Sequence, residues 1–422
     1  MDPVTTTLRL EDIDLTNLDF WRRPLAEREA GFATLRRERP IAHFDDIVIE
    51  GTDFVFPPAG GYYAITRHHD VAEISRQPEV FLSGPGAVTI FDLPPEMVEY
   101  FSGMISTDDP KHVRLRRIVS KAFSPRNIRA VEESVERVAE RTVTNARHRG
   151  TGDFVADVAA PFPLEIICSM MGVPASEHDT VLRCSNVILS NGDPAFIPQG
   201  HDPIVAVLEA GATLTELMMD LAKFRVDQPI DDITSALVNA EIESEKLTHQ
   251  ELASFFILLL AAGNETTRNA LAHSLVAFGD FPDEKQRLID DFEGLAKTAT
   301  DEIVRWSTPA IFMRRTVARE YTLSGVDLVE GDKVVMFYNS ANRDEAAFTR
   351  PELFDVGRTP NDHFGFGAPG PHFCLGAHLA RREITVMWHQ LLSRYPSIHA
   401  VAPPTPLVSL FINGIIRLPY EF

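Results

Sequence analysis

The sequence predicts a mainly α-helical protein with a small β-rich portion. Helical spacing of apolar residues dominates residues 126–226 and returns in a pattern of about thirty residues that begins at Leu247. Short segments rich in Ile, Val, Phe and Tyr, bounded by glycine and proline, are confined to about 41–66 and 311–337. We therefore expect the strands to form a minor side of a helical body.

The composition indicates a single soluble, cytoplasmic domain that covers residues 1–422. The chain is 44% hydrophobic, enough for a large core, and no repeat or linker divides it. Its 61 acidic and 40 basic residues give a formal net charge of −21, which argues against nucleic acid or an anionic membrane as partner. Three cysteines make no disulfide framework. The longest apolar run, 255–263, is too short to span a membrane, and the polar N-terminus lacks the basic start of a signal peptide.

The N-terminal part of the chain mixes helix and strand signals. An amphipathic helix is predicted over Glu27–Glu38, which a proline ends, and a short helix over Asp70–Gln77. The stretch 81–95 is predicted to be a loop because it carries a Ser-Gly-Pro-Gly turn signal. Its apolar residues Ile90 and Phe91 have no periodicity, so they either line a pocket or cap the core.

The next helix begins in DDPKHVRLRRIVSKAFSP. Asp109 suits the N-cap, Pro110 the first helical position, and Ser124-Pro125 the end. His112 and Arg116 are four residues apart and share one face. Such a pair is either a solvated basic face or a pair of donors for the carboxylates of a cofactor.

The clearest helix carries unusual residues at its middle. Thr248 and Glu251 form a capping-box pattern before ELASFFILLLAAGNETTRNALAHSLVAF. The first half is apolar nearly all round, so the helix should cross the interior. Gly263, Glu265 and Thr266 interrupt it there, although glycine costs about 1 kcal/mol within a helix. Residues that disfavour a helix, placed within an otherwise strong helical pattern, are expected at functional sites.

The following segments are predicted to alternate helix and strand. Glu302 and Arg305 lie three residues apart near the end of a helix, and a strand over 311–315 ends in two arginines. A hairpin-like region over 321–337 follows, with its turn expected at 330–332.

A glycine- and proline-rich loop, FGFGAPGPHFCLGAHLARRE, ends in Cys374 and runs into a helical pattern. A thiolate at a helix start is favoured by the backbone N–H groups, and a thiolate held this way can ligate haem iron. Gly370 and Gly376 would let the backbone approach a large flat group. Alternatively, Cys374 is a small buried hydrophobe, or a hydrolase nucleophile with His372 two residues earlier.

Taken together, these segments resemble the haem-thiolate monooxygenases, the cytochromes P-450, over essentially the whole chain. Gly370, His372, Cys374 and Gly376 match the haem-binding loop of that family, and residues 262–267 match its oxygen-activation motif. The Glu302/Arg305 pair, His112 with Arg116, and Arg315 also match family positions. The family fold is a helical triangular prism with a small β-rich side. The loop departs from the family pattern by one extra residue, since Phe366 lies eight residues before Cys374 instead of seven.

The resemblance implies roles for these residues. Cys374 would be the axial thiolate ligand of haem b, Glu265 and Thr266 would deliver protons to bound oxygen, and Glu302 with Arg305 would lock the haem-side core together with Arg358. The other residues expected to bind the cofactor are His112, Arg116, Gly263, Arg315, Phe366, His372 and Gly376. The expected apolar substrate pocket comprises Ile90, Phe91, Val187, Leu259, Ala262, Ile311, Phe312 and Phe411.

Within the family the chain most resembles actinobacterial enzymes that hydroxylate the terminal methyl of methyl-branched lipids and sterol side chains. The resemblance rests on SFFILLLAAGNETTRNA, MRRTVARE, HFCLGAHLARREI and NVILSNGDP. It implies an ω-hydroxylase that receives electrons from a ferredoxin and its ferredoxin reductase. An acidic ferredoxin is expected to dock near a basic set that comprises Arg114, Arg117, Lys121, Arg381 and Arg382.

Two other functions stay open at this point. The same haem in a fatty-acid peroxygenase or decarboxylase would need no redox partner, and a non-catalytic haem sensor would have no turnover. The intact Glu265-Thr266 pair speaks against the peroxygenase.

Overall fold

The structure is a computed structural model that describes residues 8–47, 59–93, 95–122, 125–189, 193, 195–240 and 246–422. Helices carry most of this part of the chain, as the sequence predicted. They are α1 Leu18–Arg22, α2 Leu25–Glu38, α3 His68–Ser75, α4 Pro95–Ser102, α5 Lys111–Ala122, α6 Pro125–Arg149, α7 Pro161–Met171, α8 His178–Leu189, α9 Pro203–Asp227, α10 Ile233–Val238, α11 His249–Asp280, α12 Pro282–Asp290, α13 Phe292–Ser307, α14 Tyr338–Ala341 and α15 Ala377–Arg394. Within the described ranges, no helix is both long and apolar enough to cross a lipid bilayer.

The strands are short. They are β1 Ile41–Phe44, β2 Tyr62–Ile65, β3 Phe81–Leu82, β4 Thr151–Asp153, β5 Phe312–Val317, β6 Tyr321–Leu323, β7 Val326–Leu328, β8 Lys333–Phe337, β9 His399–Ala400, β10 Thr405–Pro406, β11 Ile415–Arg417 and β12 Pro419–Glu421. The largest sheet has the order β1-β2-β8-β5-β3. Every residue of β8 is buried, because this strand lies at the centre of the sheet.

Three groups of buried side chains form the core. The largest lies among the helices, with Phe256 and Trp388 contributed by α11 and α15. The second covers one face of the five-stranded sheet, where Trp21 stacks on Phe337 with ring centroids 6.2 Å apart. The third covers the opposite face of the same sheet. This division follows from the two-residue period of a strand, which sends Val334 and Val335 of β8 into different groups.

The long helix begins at its predicted cap. Thr248 Oγ1 accepts the N–H of Glu251 at 3.1 Å, and Glu251 accepts the N–H of Thr248 at 2.9 Å, so the capping box is complete. The helix then extends for 32 residues to Asp280. Because its middle residues are buried on most sides, α11 passes through the helical core and not over its surface.

The predicted hairpin turn at 330–332 is wrong. The hairpin is formed by β6 and β7, and its turn residues Ser324 and Gly325 have positive φ of 45° and 84°. Two positive φ values in succession suit the tight turn between two antiparallel strands. Gly331, with φ of 94°, turns the chain into β8, which pairs with β5 and β2 instead of β7.

Glu302 holds α13 to the segment that leads toward Cys374. Its carboxylate is fully buried and accepts two hydrogen bonds from Arg305, both at 2.7 Å. Arg358 donates to it at 3.0 Å, and the Asp355 N–H at 2.9 Å. The guanidinium of Arg305 also donates to the backbone carbonyls of Asn342, Pro351 and Leu353. One buried anion therefore fixes several turns of irregular backbone.

We expect Glu302→Ala to lower the free energy of unfolding by about 3–5 kcal/mol, because two arginines would stay buried without their counter-charge. Denaturant unfolding measures this. The control is Asp19→Ala, which breaks an exposed pair of the same spacing, Asp19 with Arg22, and should change stability little. Equal losses in the two variants would contradict the role given to Glu302.

Candidate active site

Cys374 lies at the end of the loop that precedes α15. Its N–H donates to the carbonyl of Phe366 at 2.9 Å, and Gly367 takes the positive φ of 87° that closes the loop. Burial raises the pKa of the Cys374 thiol, while the N–H groups of Gly376 and Ala377 and the nearby arginines act in the opposite direction. The side chain is nevertheless accessible. From this combination of depth and accessibility we infer that Cys374 faces an internal chamber.

The extra loop residue does not separate Phe366 from Cys374. The two remain joined by the backbone hydrogen bond, and the Phe366 ring lies under the guanidinium of Arg381, 4.4 Å from its centroid. Phe366 is therefore part of the cysteine loop. That its ring also contacts the cofactor stays a prediction.

The middle of α11 is accessible as well, and we infer that it borders the same chamber. Ala262 is exposed and Thr266 is half-buried, although residues on the other sides of the helix are buried. Thr266 Oγ1 donates to the carbonyl of Ala262 at 2.8 Å. A Cβ on Gly263 would approach the side chain of Ile167 to 3.1 Å, so the glycine permits close packing against α7. Glu265 is buried and pairs with Arg268 of the same helix.

A second link joins α11 to the cysteine helix. Thr267 bonds to Glu383, which is fully enclosed, and burial raises the pKa of Glu383 to about 8. The raised pKa favours the neutral acid, which can stay buried without a cation. Glu383 was not predicted from the sequence, because a glutamate at helical spacing is usually solvated.

Four basic side chains converge beside Cys374. The rings of His112 and His372 lie 4.1 Å apart, and Arg116 donates to the carbonyl of Phe373 at 2.7 Å. Burial, together with Arg315, His112 and Arg116, lowers the pKa of His372 to about 2. Burial and then Arg116 also lower the pKa of His112. The sequence-predicted donors are thus brought together, with Ser83 Oγ 3.1 Å from His372 Nε2 as a further contact.

This basic cluster suits an acidic ligand. Nε2 of His112 is buried without a partner, and Arg315, 5% exposed, donates its described hydrogen bond to a backbone carbonyl. Among the described residues, no carboxylate forms an ion pair with Arg116 or Arg315. Unpaired buried cations are costly unless a bound anion compensates them. A cofactor with carboxylate arms, held beside a thiol, fits these residues.

The predicted substrate residues fall into two sets. Leu259, Phe91 and Phe411 are half-buried and Ala262 is exposed, so these can contact a ligand. The others, Ile90, Val187, Ile311 and Phe312, are buried in core groups. One of them, Phe312, contacts Phe411 of the first set, with ring centroids 5.3 Å apart.

Arg314 fixes the loop that carries Ile90 and Phe91. Its Nη1 donates to both of their carbonyls at 3.3 Å, and its Nη2 lies 2.5 Å from Asp92. Lys333 Nζ is 3.5 Å from the same carboxylate. A cavity of about 550 Å³ lies beside this loop, bounded by α4, α5 and the first turns of α11. Adjacent arginines in a strand point to opposite faces, which was a usable signal that Arg314 and Arg315 have different tasks.

Three arginines of the proposed docking set form ion pairs within the protein. Arg114 pairs with Glu251, Arg381 with Asp301 at 2.7 Å, and Arg382 with Glu136. Arg117 is exposed on α5. The side chain of Lys121 lies outside the described part of the structure. Two apolar residues close to this face, Val113 and Phe373, are 49% and 37% exposed.

Comparisons with known proteins identify the family of the chain. The family model for "Cytochrome P450" matches residues 206–419. The chain is 45% identical to the methyl-branched lipid omega-hydroxylase of Mycobacterium tuberculosis, covering 97% of this chain and 94% of that protein. It is 36% identical to the steroid C26-monooxygenase of Mycolicibacterium smegmatis, with 94% and 90% covered.

The fold agrees equally well. The solved structure of Mycobacterium marinum cytochrome P450 CYP268A2 in complex with pseudoionone matches with a TM-score of 0.92 and 38% identity, over 99% of this chain and 100% of that one. The predicted mainly helical fold with a small β-rich side is confirmed. The chain belongs to the cytochrome P450 family and is a monooxygenase.

Proposed function

We propose that this enzyme hydroxylates the terminal methyl group of a methyl-branched lipid or of a steroid side chain. The single observation that carries this proposal is identity across nearly the whole chain to two kinds of relative, 45% to an omega-hydroxylase and 36% to a C26-monooxygenase. Both names refer to oxidation at the end of a branched aliphatic chain. The shared element is therefore an isopropyl-like terminus, whatever the rest of the substrate is.

The cofactor in this proposal is haem b. Cys374 would ligate its iron, and His112, Arg116, Arg315 and His372 would hold its carboxylates by charge-assisted hydrogen bonds. When bound, the haem supplies oxygen activation, and a thiolate ligand favours cleavage of the O–O bond. Gly376, at the N-cap of α15, would leave room for the flat ring, because a Cβ there would lie 4.0 Å from Cys374 Sγ. Gly263, also predicted to bind the cofactor, has its open side toward Ile167 of α7 instead.

The protein contributes positioning and proton delivery. Thr266 hydroxyl is accessible from the chamber and can exchange its bond to Ala262 for a bond to a ligand or water. Glu265, the adjacent residue, is the acid that would resupply the proton. General acid–base assistance contributes ~10²–10⁴-fold to rate. Leu259, Phe91 and Phe411 would exclude water from the reacting end of the substrate.

Electrons would come from a ferredoxin and its reductase. The exposed surface next to the cysteine loop carries Arg117 and the apolar Val113 and Phe373, on a protein whose overall charge is −21. An acidic iron–sulfur protein would be attracted locally to this surface and repelled elsewhere.

An optical titration tests the substrate class. We expect a haem spin-state shift with a methyl-branched fatty acid and with a steroid ketone, and a weaker response to the straight-chain acid of equal length. Ala262→Leu adds volume inside the chamber and should weaken binding about tenfold. Ala26→Leu, on the exposed face of α2, should not. If the straight-chain acid bound as well as both branched ligands, the proposed substrate class would be wrong.

Charge reversal tests the docking surface. We expect Arg117→Glu to slow reduction by an acidic ferredoxin about tenfold at low salt, with the difference shrinking at high salt because the attraction is screened. Stopped-flow reduction measures the rate. Arg22→Glu on α1 is the matched exposed control, and chemical reduction by dithionite should be equal in all three proteins. An unchanged ferredoxin rate in Arg117→Glu would refute this docking surface.

A further inference from the structure

Unpartnered buried polar atoms are concentrated between α8 and α11. Fourteen buried side-chain nitrogen and oxygen atoms lack a hydrogen-bond partner in the described part of the chain. Five of these belong to four residues of the two helices: Ser185, Asn264, Glu265 and Arg268. Both amide atoms of Asn264 are among them, although the residue is completely buried. A buried polar group without a partner is costly, so this concentration needs an explanation.

The helix places these residues on one side of α11. Successive residues differ by about 100° around a helix, so Asn264 and Arg268 lie about 40° apart and Glu265 is about 60° from Arg268. Thr266 is a further 100° beyond Glu265, on the side that faces the chamber. Glu265 therefore stands between the buried polar side of the helix and the threonine that faces the reacting centre.

The polar side is tied to α8 by one arginine. Arg268 Nη1 donates to Asn186 Oδ1 at 2.7 Å, and its Nη2 donates to Glu265 Oε1. Asn269 donates to the same carboxylate oxygen at 3.0 Å. The second oxygen of Glu265 and the Nε of Arg268 remain without partners. Asn186 is half-buried, whereas Arg268 and Glu265 are 4% and 1% exposed, so the group runs from the edge of α8 inward.

We propose that Arg268, anchored by Asn186, is the positioning residue of Glu265, and that Ser185 and Asn264 complete a polar pocket for ordered water through which protons reach Glu265. Water bound at such a site makes two to four hydrogen bonds. The unpartnered atoms of these four residues include both hydrogen-bond donors and hydrogen-bond acceptors.

This inference rests on the proposed monooxygenase reaction at Thr266. Hydroxylation consumes the substrate, one O₂, two electrons and two protons, and yields the alcohol and one water. If the second proton arrives late or in the wrong place, the same O₂, electrons and protons leave as hydrogen peroxide. The fraction of electrons recovered in product therefore reports proton delivery, with substrate binding measured separately.

Replacing the arginine tests the positioning role. We expect Arg268→Met to lower the product fraction about tenfold with a matching rise in peroxide, because a mispositioned group loses much of its catalytic effect. The spin-state titration and the thiolate-type carbon monoxide spectrum should be unchanged. Arg268→Lys, which keeps a donor, should recover part of the loss.

The control is Arg225→Met. It removes an arginine of similar burial, 7% exposed, from its 2.6 Å pair with Asp232, the N-cap residue of α10. This variant should keep the wild-type product fraction. A wild-type product fraction in Arg268→Met, or an equally low product fraction in Arg225→Met, would overturn the positioning role.

Asn264→Leu tests the water pocket with a readout that does not depend on turnover. If water hydrogen-bonds to the Asn264 amide, the leucine variant loses those hydrogen bonds. The unfolding temperature should then not rise, and the fraction of electrons recovered in product should fall. A higher unfolding temperature with an unchanged product fraction would show that no water bonds to the amide, and would overturn the water pocket. If the wild-type protein hydroxylated no lipid, the proposed function would fail, and the ratio of water to peroxide formed from O₂ would still separate Arg268→Met from wild type.

Discussion

The arrangement depends on one electrostatic constraint: a thiol in the interior of the protein and four basic side chains meet where few acidic groups can balance them. Burial raises the pKa of Cys374 and lowers that of His372 to about 2, so each group by itself is driven toward its neutral form. A bound metal cofactor with acidic arms would reverse both costs at once, since the metal would stabilise the thiolate and the arms would stabilise the cations. The surrounding fold holds these groups in place against their own desolvation.

Two helices, α11 and α15, and one buried anion, Glu302, hold the thiol and the basic side chains in place. Helix α11 crosses the core from a complete capping box and presents Ala262 and Thr266 to the chamber, while its other sides are packed. Helix α15 begins directly after Cys374 and joins α11 through the neutral Glu383 and Thr267. Glu302, with its two arginines, fixes the irregular chain that leads into the cysteine loop. Phe91, which we propose contacts the substrate, lies on the loop that Arg314 and Lys333 hold through Asp92.

The sequence was most informative where the interactions are local. The cap at Thr248, the shared face of His112 and Arg116 and the cysteine at a helix start all depend on residues a few positions apart. The position of the hairpin turn was mispredicted because strand pairing is non-local. All five residues of β8 are buried, and this strand pairs in the middle of the large sheet instead of with β7. Partners such as Asn186 for Arg268 could not be predicted, since they depend on how two distant helices pack.

The most direct test of the account is the position of the hydroxyl group in the product. Purified enzyme with haem, a ferredoxin system and a methyl-branched fatty acid would be incubated, and the product analysed by mass spectrometry after derivatisation. The account predicts one dominant product that carries the hydroxyl on the terminal methyl at the branched end. Hydroxylation within the chain, or peroxide-driven decarboxylation without ferredoxin, would contradict it.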